Sequence, residues 1–232
     1  MKEGIEREVK DFKEKLAEIE KKYNIDFLKL QREQLKLAKS LKIKDEIDFE
    51  LADRVAGIDN TFFKNNIISA VVVLAEGEVV EQEYSSGKIK FPYVAGFRAY
   101  RELESMISAF NKLDEKPDVV FVSGHGILHS RGLGLASHFS LATGVPTIGV
   151  SDSLLVGEIQ GNGIFLDTKL VGTVIYTKKG ARPLCVSPGN LISVSTSEKL
   201  TRKFTMEPHK YPEPLRLAKK YAREIRKELF KV

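Results

Sequence analysis

The 232-residue chain has a single cysteine, Cys185, so it cannot close a disulfide on itself. A lone thiol excludes a disulfide-stapled fold and fits a reducing compartment. No apolar run approaches the roughly 20 residues that a membrane-spanning helix needs. The opening stretch, "MKEGIEREVKDFKEK", is charged throughout, so no signal peptide is expected either. A cytoplasmic location is the expectation. A glycine-rich phosphate loop, a CxxC pair and a GxSxG elbow are also missing, which removes most nucleotide, zinc and hydrolase readings.

What remains is a globular composition, long enough for a substantial core plus an appendage. The net charge of +5 is unevenly distributed: residues 198–232 hold eleven Lys or Arg against five Glu, which leaves the rest near neutral. A basic C-terminal helix suits a phosphate-facing surface as well as an ordinary solvated face.

Residues 2–23 read as one helix, with Ile5, Val9, Phe12, Leu16, Ile19 and Tyr23 in an a/d seam. Such a seam must pack on the body of the protein or on another copy, so a homodimer or a protein partner through it is one expectation. The chain divides into this extension, 1–24, and a main domain, 25–232. A second helix is expected at about 27–41. The stretches "RVAGIDNTFF", "IISAVVVLAEGEVVEQEYSSG" and "GKIKF" predict a meander, with Gly77 turning the long hairpin. An amphipathic helix follows through Phe97, Tyr100, Leu103, Ile107 and Phe110. The continuously apolar "PDVVFVSG" and "VPTIGVSDS" predict strands covered on both faces, separated by the helix "GLGLASHFSLATG". Further strands and helices near 195–204 and 212–230 complete a mixed α/β sheet with helices on both faces.

The chemistry-bearing candidates look ordinary one at a time. Asp59 lies in the first core strand, where an acid is costly to bury without a partner or a cation; it also reads as a turn cap. Glu102 alone reads as a surface glutamate on an amphipathic helix. His125 and His129 flank a glycine loop, where a histidine is often only a local hydrogen-bond partner.

Together, six ordered blocks, "VAGIDNTF", "FPYVAGFRAYRE", "PDVVFVSGHGILHSRGLGLASHF", "VPTIGV", "SPGNLISVSTSEKL" and "PEPLRLAKKYARE", resemble the endonuclease V family over about residues 25–230. The resemblance implies a ribonuclease H-like fold and a Mg²⁺-dependent nuclease, with Mn²⁺ an alternative metal. It implies action in DNA repair on DNA or RNA containing inosine, cutting the second phosphodiester 3′ to the deaminated base. Carried over by position, Asp59 and Glu102 match metal-binding acids and His129 matches a histidine of the site. Pro92, Tyr93 and Val94 match the wedge that enters the duplex, although Ala95 replaces its second proline. Gly96, Gly124 and Gly126 match the loops that line the base pocket, and Arg131 is placed to meet phosphate.

Three polar positions also depart from the family pattern. Ser123 stands where an acid is expected, Asp152 where a lysine is expected, and Asn190 where a histidine is expected. Losing one acid and exchanging a lysine for an acid makes the site one unit more negative than the family version. The exchange raises the expectation that Asp152 supplies the missing ligand beside Asp59 and Glu102. The alternatives are a family homologue that binds nucleic acid without cleaving it, and an interaction scaffold with no nucleic-acid role.

Overall fold

Residues 55–88 form a three-stranded antiparallel meander: β1 (Val55–Phe63), β2 (Asn66–Ala75) and β3 (Glu78–Lys88). Glu76 and Gly77 turn the second hairpin with φ of 52° and 83°, and two positive-φ residues match the twist of the flanking strands. "GKIKF" makes no strand of its own: β3 ends at Lys88, and the chain leaves the sheet towards Pro92. The computed structural model describes residues 14–231. The part of the N-terminal heptad reading that falls on 1–13 lies outside the described residues.

Helix α3 (Arg98–Phe110) leads to β4 (Val119–Ser123), then α4 (Leu135–Thr143) to β5 (Thr147–Ser151). Strands β1, β4 and β5 run parallel, and their connections carry helices because parallel neighbours need a crossover. The strands β6 (Glu158–Gln160), β7 (Gly163–Leu166), β8 (Lys169–Ile175) and β9 (Leu184–Asn190) extend the sheet on the other side. The order is β3-β2-β1-β4-β5-β9-β8-β7-β6. Helices α5 (Val194–Lys203) and α6 (Glu213–Phe230) follow.

Alternation along β1 sends its residues to two cores. Ala56 and Ile58 join Met106, Phe110 and Phe139 on the α3–α4 face, while Val55 joins Phe121, Ile148, Leu200 and Leu215 on the α5–α6 face. Residues 67–74 of β2 are buried without alternation, as a sheet covered on both faces requires. The expected mixed sheet between helical layers is therefore the observed architecture.

At the N-terminal end, α1 is helical over residues 14–23 and α2 spans Phe27–Ala38, with Asp26 accepting from Lys29 N as its N-cap. Leu16 and Ile19 pack against Phe27, Val94 and Phe97. Leu16 and Ile19 of the heptad seam thus dock on the chain's own body, whereas Tyr23 at its end is exposed. Helix α2 stops at Ala38 rather than 41, and Leu41 packs instead beside Ile127 and Leu128.

Candidate nucleic-acid site

The parallel strands end together. The β1–β4 register closes at Ile58 with Val122, so the next residues, Asp59 and Ser123, stand side by side at the carboxyl ends of the strands. A crevice at such strand ends is where open α/β sheets bind ligands.

Gly57 explains how a helix reaches this point. A Cβ at Gly57 would lie 2.2 Å from the carbonyl carbon of Pro214, so only glycine lets the start of α6 rest on β1. From Pro214 to Lys219 the helix rises about 7.5 Å, close to the roughly 6.7 Å from Gly57 to Asp59 along the strand. Lys219 therefore arrives over Asp59. Its Nζ donates to Asp59 Oδ1 at 3.2 Å and to Ser123 Oγ at 2.8 Å, and it sits 4.9 Å from the centre of the Tyr211 ring.

Glu102 approaches from the opposite face of the sheet, on α3. It is 2% exposed and fully engaged. Arg98 grips it with two bonds of 2.8 Å, and Asn60 Nδ2 adds a third at 2.7 Å. Ser69, opposite Asn60 across the β1–β2 pair, orients that amide through a 2.6 Å bond to its Oδ1. Burial works against the charge on Arg98, but the Glu102 carboxylate outweighs it and raises the guanidinium pKa. Glu102 is thus a buried ion-pair partner and no surface glutamate.

Asp152 follows β5 to the rim of the same outer cleft, which is about 230 Å³ and is lined also by Arg98, Ser123, Tyr211 and Lys219. Its carboxylate is bonded by Lys210 and by the Tyr211 hydroxyl, the latter at 2.5 Å. Partial burial raises its pKa, but these two donors more than reverse this, and the carboxyl sits below its ordinary range.

An inner cavity of about 170 Å³ adjoins this cleft, and both share Arg98, Ser151 and Ser153. Its wall holds Tyr93, Gly96, His125 and His129. Close backbone packing builds it: a Cβ at Gly134 would lie 2.3 Å from His125 O, and both residues line it. Of the glycines expected in the base pocket, only Gly96 lines this cavity; Gly124 lines the outer cleft and Gly126 lines neither. Gly96 has φ of +79°, and Arg131 Nη2 donates 2.7 Å to its carbonyl. His129 is 4% exposed. Burial first, then the Arg131 charge, lowers its pKa to about 4, so it is neutral at pH 7. His125 is lowered by burial too, and its Nε2 lies 2.8 Å from Ser153 O.

A model of the Endonuclease V family matches residues 35–220. The chain belongs to the endonuclease V family. It is 36% identical over 183 residues to an endonuclease V of Thermosipho melanesiensis, covering 75% of this chain and 80% of that one. The crystal structure of the Bacillus subtilis Endonuclease V superposes with a TM-score of 0.82 at 28% identity, covering 89% of this chain and 94% of that one. The Ciona intestinalis Endonuclease V, solved with DNA containing an inosine, shares the fold with a TM-score of 0.79 at 23% identity, over 88% of this chain and 98% of that one.

Against the endonuclease V resemblance, several expected residues take other positions. Tyr93 is 67% exposed beside Pro92, but Val94 is buried against Phe27 and Phe97 and anchors the loop from within. Arg131 faces inward: its Nε donates 2.5 Å to Gln34 Oε1, and its guanidinium lies 4.6 Å from the Phe97 ring centre. Asn190 is buried at the end of β9, where its Oδ1 accepts from Lys42 N at 2.7 Å and ties down the segment before β1. It lines neither cavity nor cleft.

The carboxylates also do not suit the divalent cation that the resemblance implies. Mg²⁺ is held by one or two free carboxylates and several waters. Here Asp59, Glu102 and Asp152 each have a basic partner, Lys219, Arg98 and Lys210. Among the described residues, no group of three His, Cys, Asp or Glu could hold a metal. Sequence reasoning missed Arg98, Lys210, Tyr211 and Lys219. The Arg98–Glu102 pair was visible as an i,i+4 spacing, whereas Lys219 and Asp59 are 160 residues apart.

Proposed function

We propose that this chain recognises inosine in DNA or RNA, seating the extruded base in the inner cavity, and that it holds the neighbouring backbone without efficient cleavage. One observation carries the reading: a cavity with Gly96 and Gly134 in its wall shares Arg98, Ser151 and Ser153 with a cleft around which each carboxylate is paired with a basic side chain. Base extrusion costs unstacking energy, which an exposed aromatic can offset by stacking in the gap, and Tyr93 at the cavity mouth suits that role. Its anchored neighbour Val94 would hold it upright. Arg216, Lys220, Arg223, Arg226 and Lys227 surround a groove on α6, a basic face fit for backbone phosphates. The inosine-containing DNA bound by the Ciona intestinalis protein supports the choice of base.

A second reading, metal-dependent nicking of the second phosphodiester 3′ to inosine, draws on one observation. Asp59 and Asp152 both act electrostatically on Tyr211, so two carboxylates border the same ring. In that reading Mg²⁺ or Mn²⁺ would displace Lys219 and Lys210, with Asp59, Glu102 and Asp152 as its ligands.

The test is an anisotropy and nicking assay on a duplex with one deoxyinosine. The expected result is inosine-preferring binding with no nick in Mg²⁺ or Mn²⁺, and a gain of nicking in Ser123→Asp. Wild-type nicking that Asp152→Ala abolishes would overturn the first reading in favour of the second.

A further inference from the structure

The charges around the outer cleft balance. Asp59, Glu102 and Asp152 face Lys219, Arg98 and Lys210, so a divalent cation entering here would leave two uncompensated positive charges. A phosphodiester entering the same place would meet donors that are already oriented. Lys219 has three N–H groups, of which Asp59 and Ser123 take two. Arg98 directs Nε and Nη2 to Glu102, and Nη2 also reaches the Ser123 carbonyl at 3.4 Å. Among the described residues, its Nη1 donates to nothing. The two cations lie on either side of Ser123, one reaching its hydroxyl and the other its carbonyl, and both line the cleft.

Each cation is also held from behind. Glu102 is buried with three bonds, so it fixes the Arg98 fork, and Asp59 with the Tyr211 ring fixes the Lys219 ammonium. With its Nε–Nη2 edge on Glu102, Arg98 offers a phosphate its Nη1 donors, and the Lys219 ammonium adds a point charge. Ser123 is what makes this arrangement neutral: an acid there would restore a free negative charge beside Asp59.

We infer that Lys219 and Arg98 are built-in cations that hold a backbone phosphate in this cleft without a divalent metal. The inference rests on the reading above that the ligand is nucleic acid. It names the site of phosphate contact and makes that contact independent of metal.

The experiment uses the full chain and two labelled duplexes, one with deoxyinosine and one with deoxyguanosine at the same place, each titrated in EDTA and in millimolar Mg²⁺. Expected are affinities for the inosine duplex equal within about twofold in the two buffers. Lys219→Met is expected to weaken binding about tenfold or more and to reduce the salt slope by about 0.9, one phosphate contact. Lys219→Arg, which keeps the charge, is expected to restore most of the loss. Binding that disappears in EDTA would overturn the inference, and so would Lys219→Arg as weak as Lys219→Met. Equal affinity for the two duplexes in both buffers would sink the inosine reading alone, because the metal and Lys219 comparisons still stand on the common backbone. Mn²⁺ titration followed by electron paramagnetic resonance gives a readout without nucleic acid. The wild type is expected to take up no stoichiometric Mn²⁺, whereas S123D/K219A gains one site. Uptake by the wild type, or a double variant as silent as the wild type, would overturn the assignment.

Discussion

The inner cavity and the outer cleft share Arg98, Ser151 and Ser153, yet they are held by different forces. Backbone touching backbone shapes the cavity, at Gly134 against His125, around histidines whose pKa burial lowers. Charge pairs shape the cleft, with Lys219 and Arg98 positioned by Asp59 and Glu102. Close packing admits no added methylene without strain, whereas a charge pair can change partners wherever the sum is preserved. The departures from the endonuclease V pattern fall on both sides of that contrast: Ser123 and Asp152 line the cleft, Asn190 lies outside both, and Ala95, in place of a proline, lines the cavity.

Gly134→Ala puts the contrast to its hardest test. Its Cβ would stand 2.3 Å from His125 O, and neither backbone can yield alone. A loss of about 3 kcal/mol or more is expected in urea unfolding; a loss under about 1 kcal/mol would mean that the cavity wall is as adaptable as the cleft.

Acid attacks the cavity next. His129 has a folded pKa near 4 against the ordinary 6.5 of the unfolded chain. The unfolded state therefore binds more protons between those values, and the stability from the neutral ring, complete above about pH 6.5, is lost as pH falls towards 4. That window is worth on the order of 3 kcal/mol for this residue. His138, buried and also lowered to about 4, adds to the same slope. Urea unfolding at pH 7 and 4.5 should show the loss, and His129→Asn should flatten the difference; an unchanged slope would exclude His129 as a buried neutral group.

In the cleft, Glu102→Ala strands Arg98 and the Asn60 amide. Breaking a buried pair costs about 3–5 kcal/mol, but Arg98 is 38% exposed and water screens it, so about 2 kcal/mol is expected in the same assay. Tyr93→Ala should leave stability unchanged, since the ring is in solvent. It should weaken inosine-duplex binding about tenfold, the loss of one stacking contact. The smallest effect belongs to Asp152→Asn: Asp152 is half exposed in its pair with Lys210, and less than about 1 kcal/mol of stability should go. A larger loss there would move Asp152 from the adjustable group to the fixed one.

Much of the scaffold was legible from residues alone. The meander, both parallel strands and the helices on each face followed from apolar periodicity and the turn at Gly77. "GKIKF" misled because its alternation belongs to a departing loop, whose Phe91 packs against the Phe27–Val94–Phe97 cluster and not in the sheet. Asp59 and Glu102 were legible as residues to watch, and Ser123 as a lost acid. Their partners were not.

The sequence by itself determined the family, the order of the elements and the change in charge type at 123 and 152, because periodicity and motif blocks are local properties of a chain. Only the tertiary structure decided that each acid has a cation. Gly57 lets α6 lie against β1, and this brings Lys219 across 160 residues to Asp59 and Ser123. No spacing encodes that meeting, since it depends on how closely a helix and a strand approach and on which way each side chain then points.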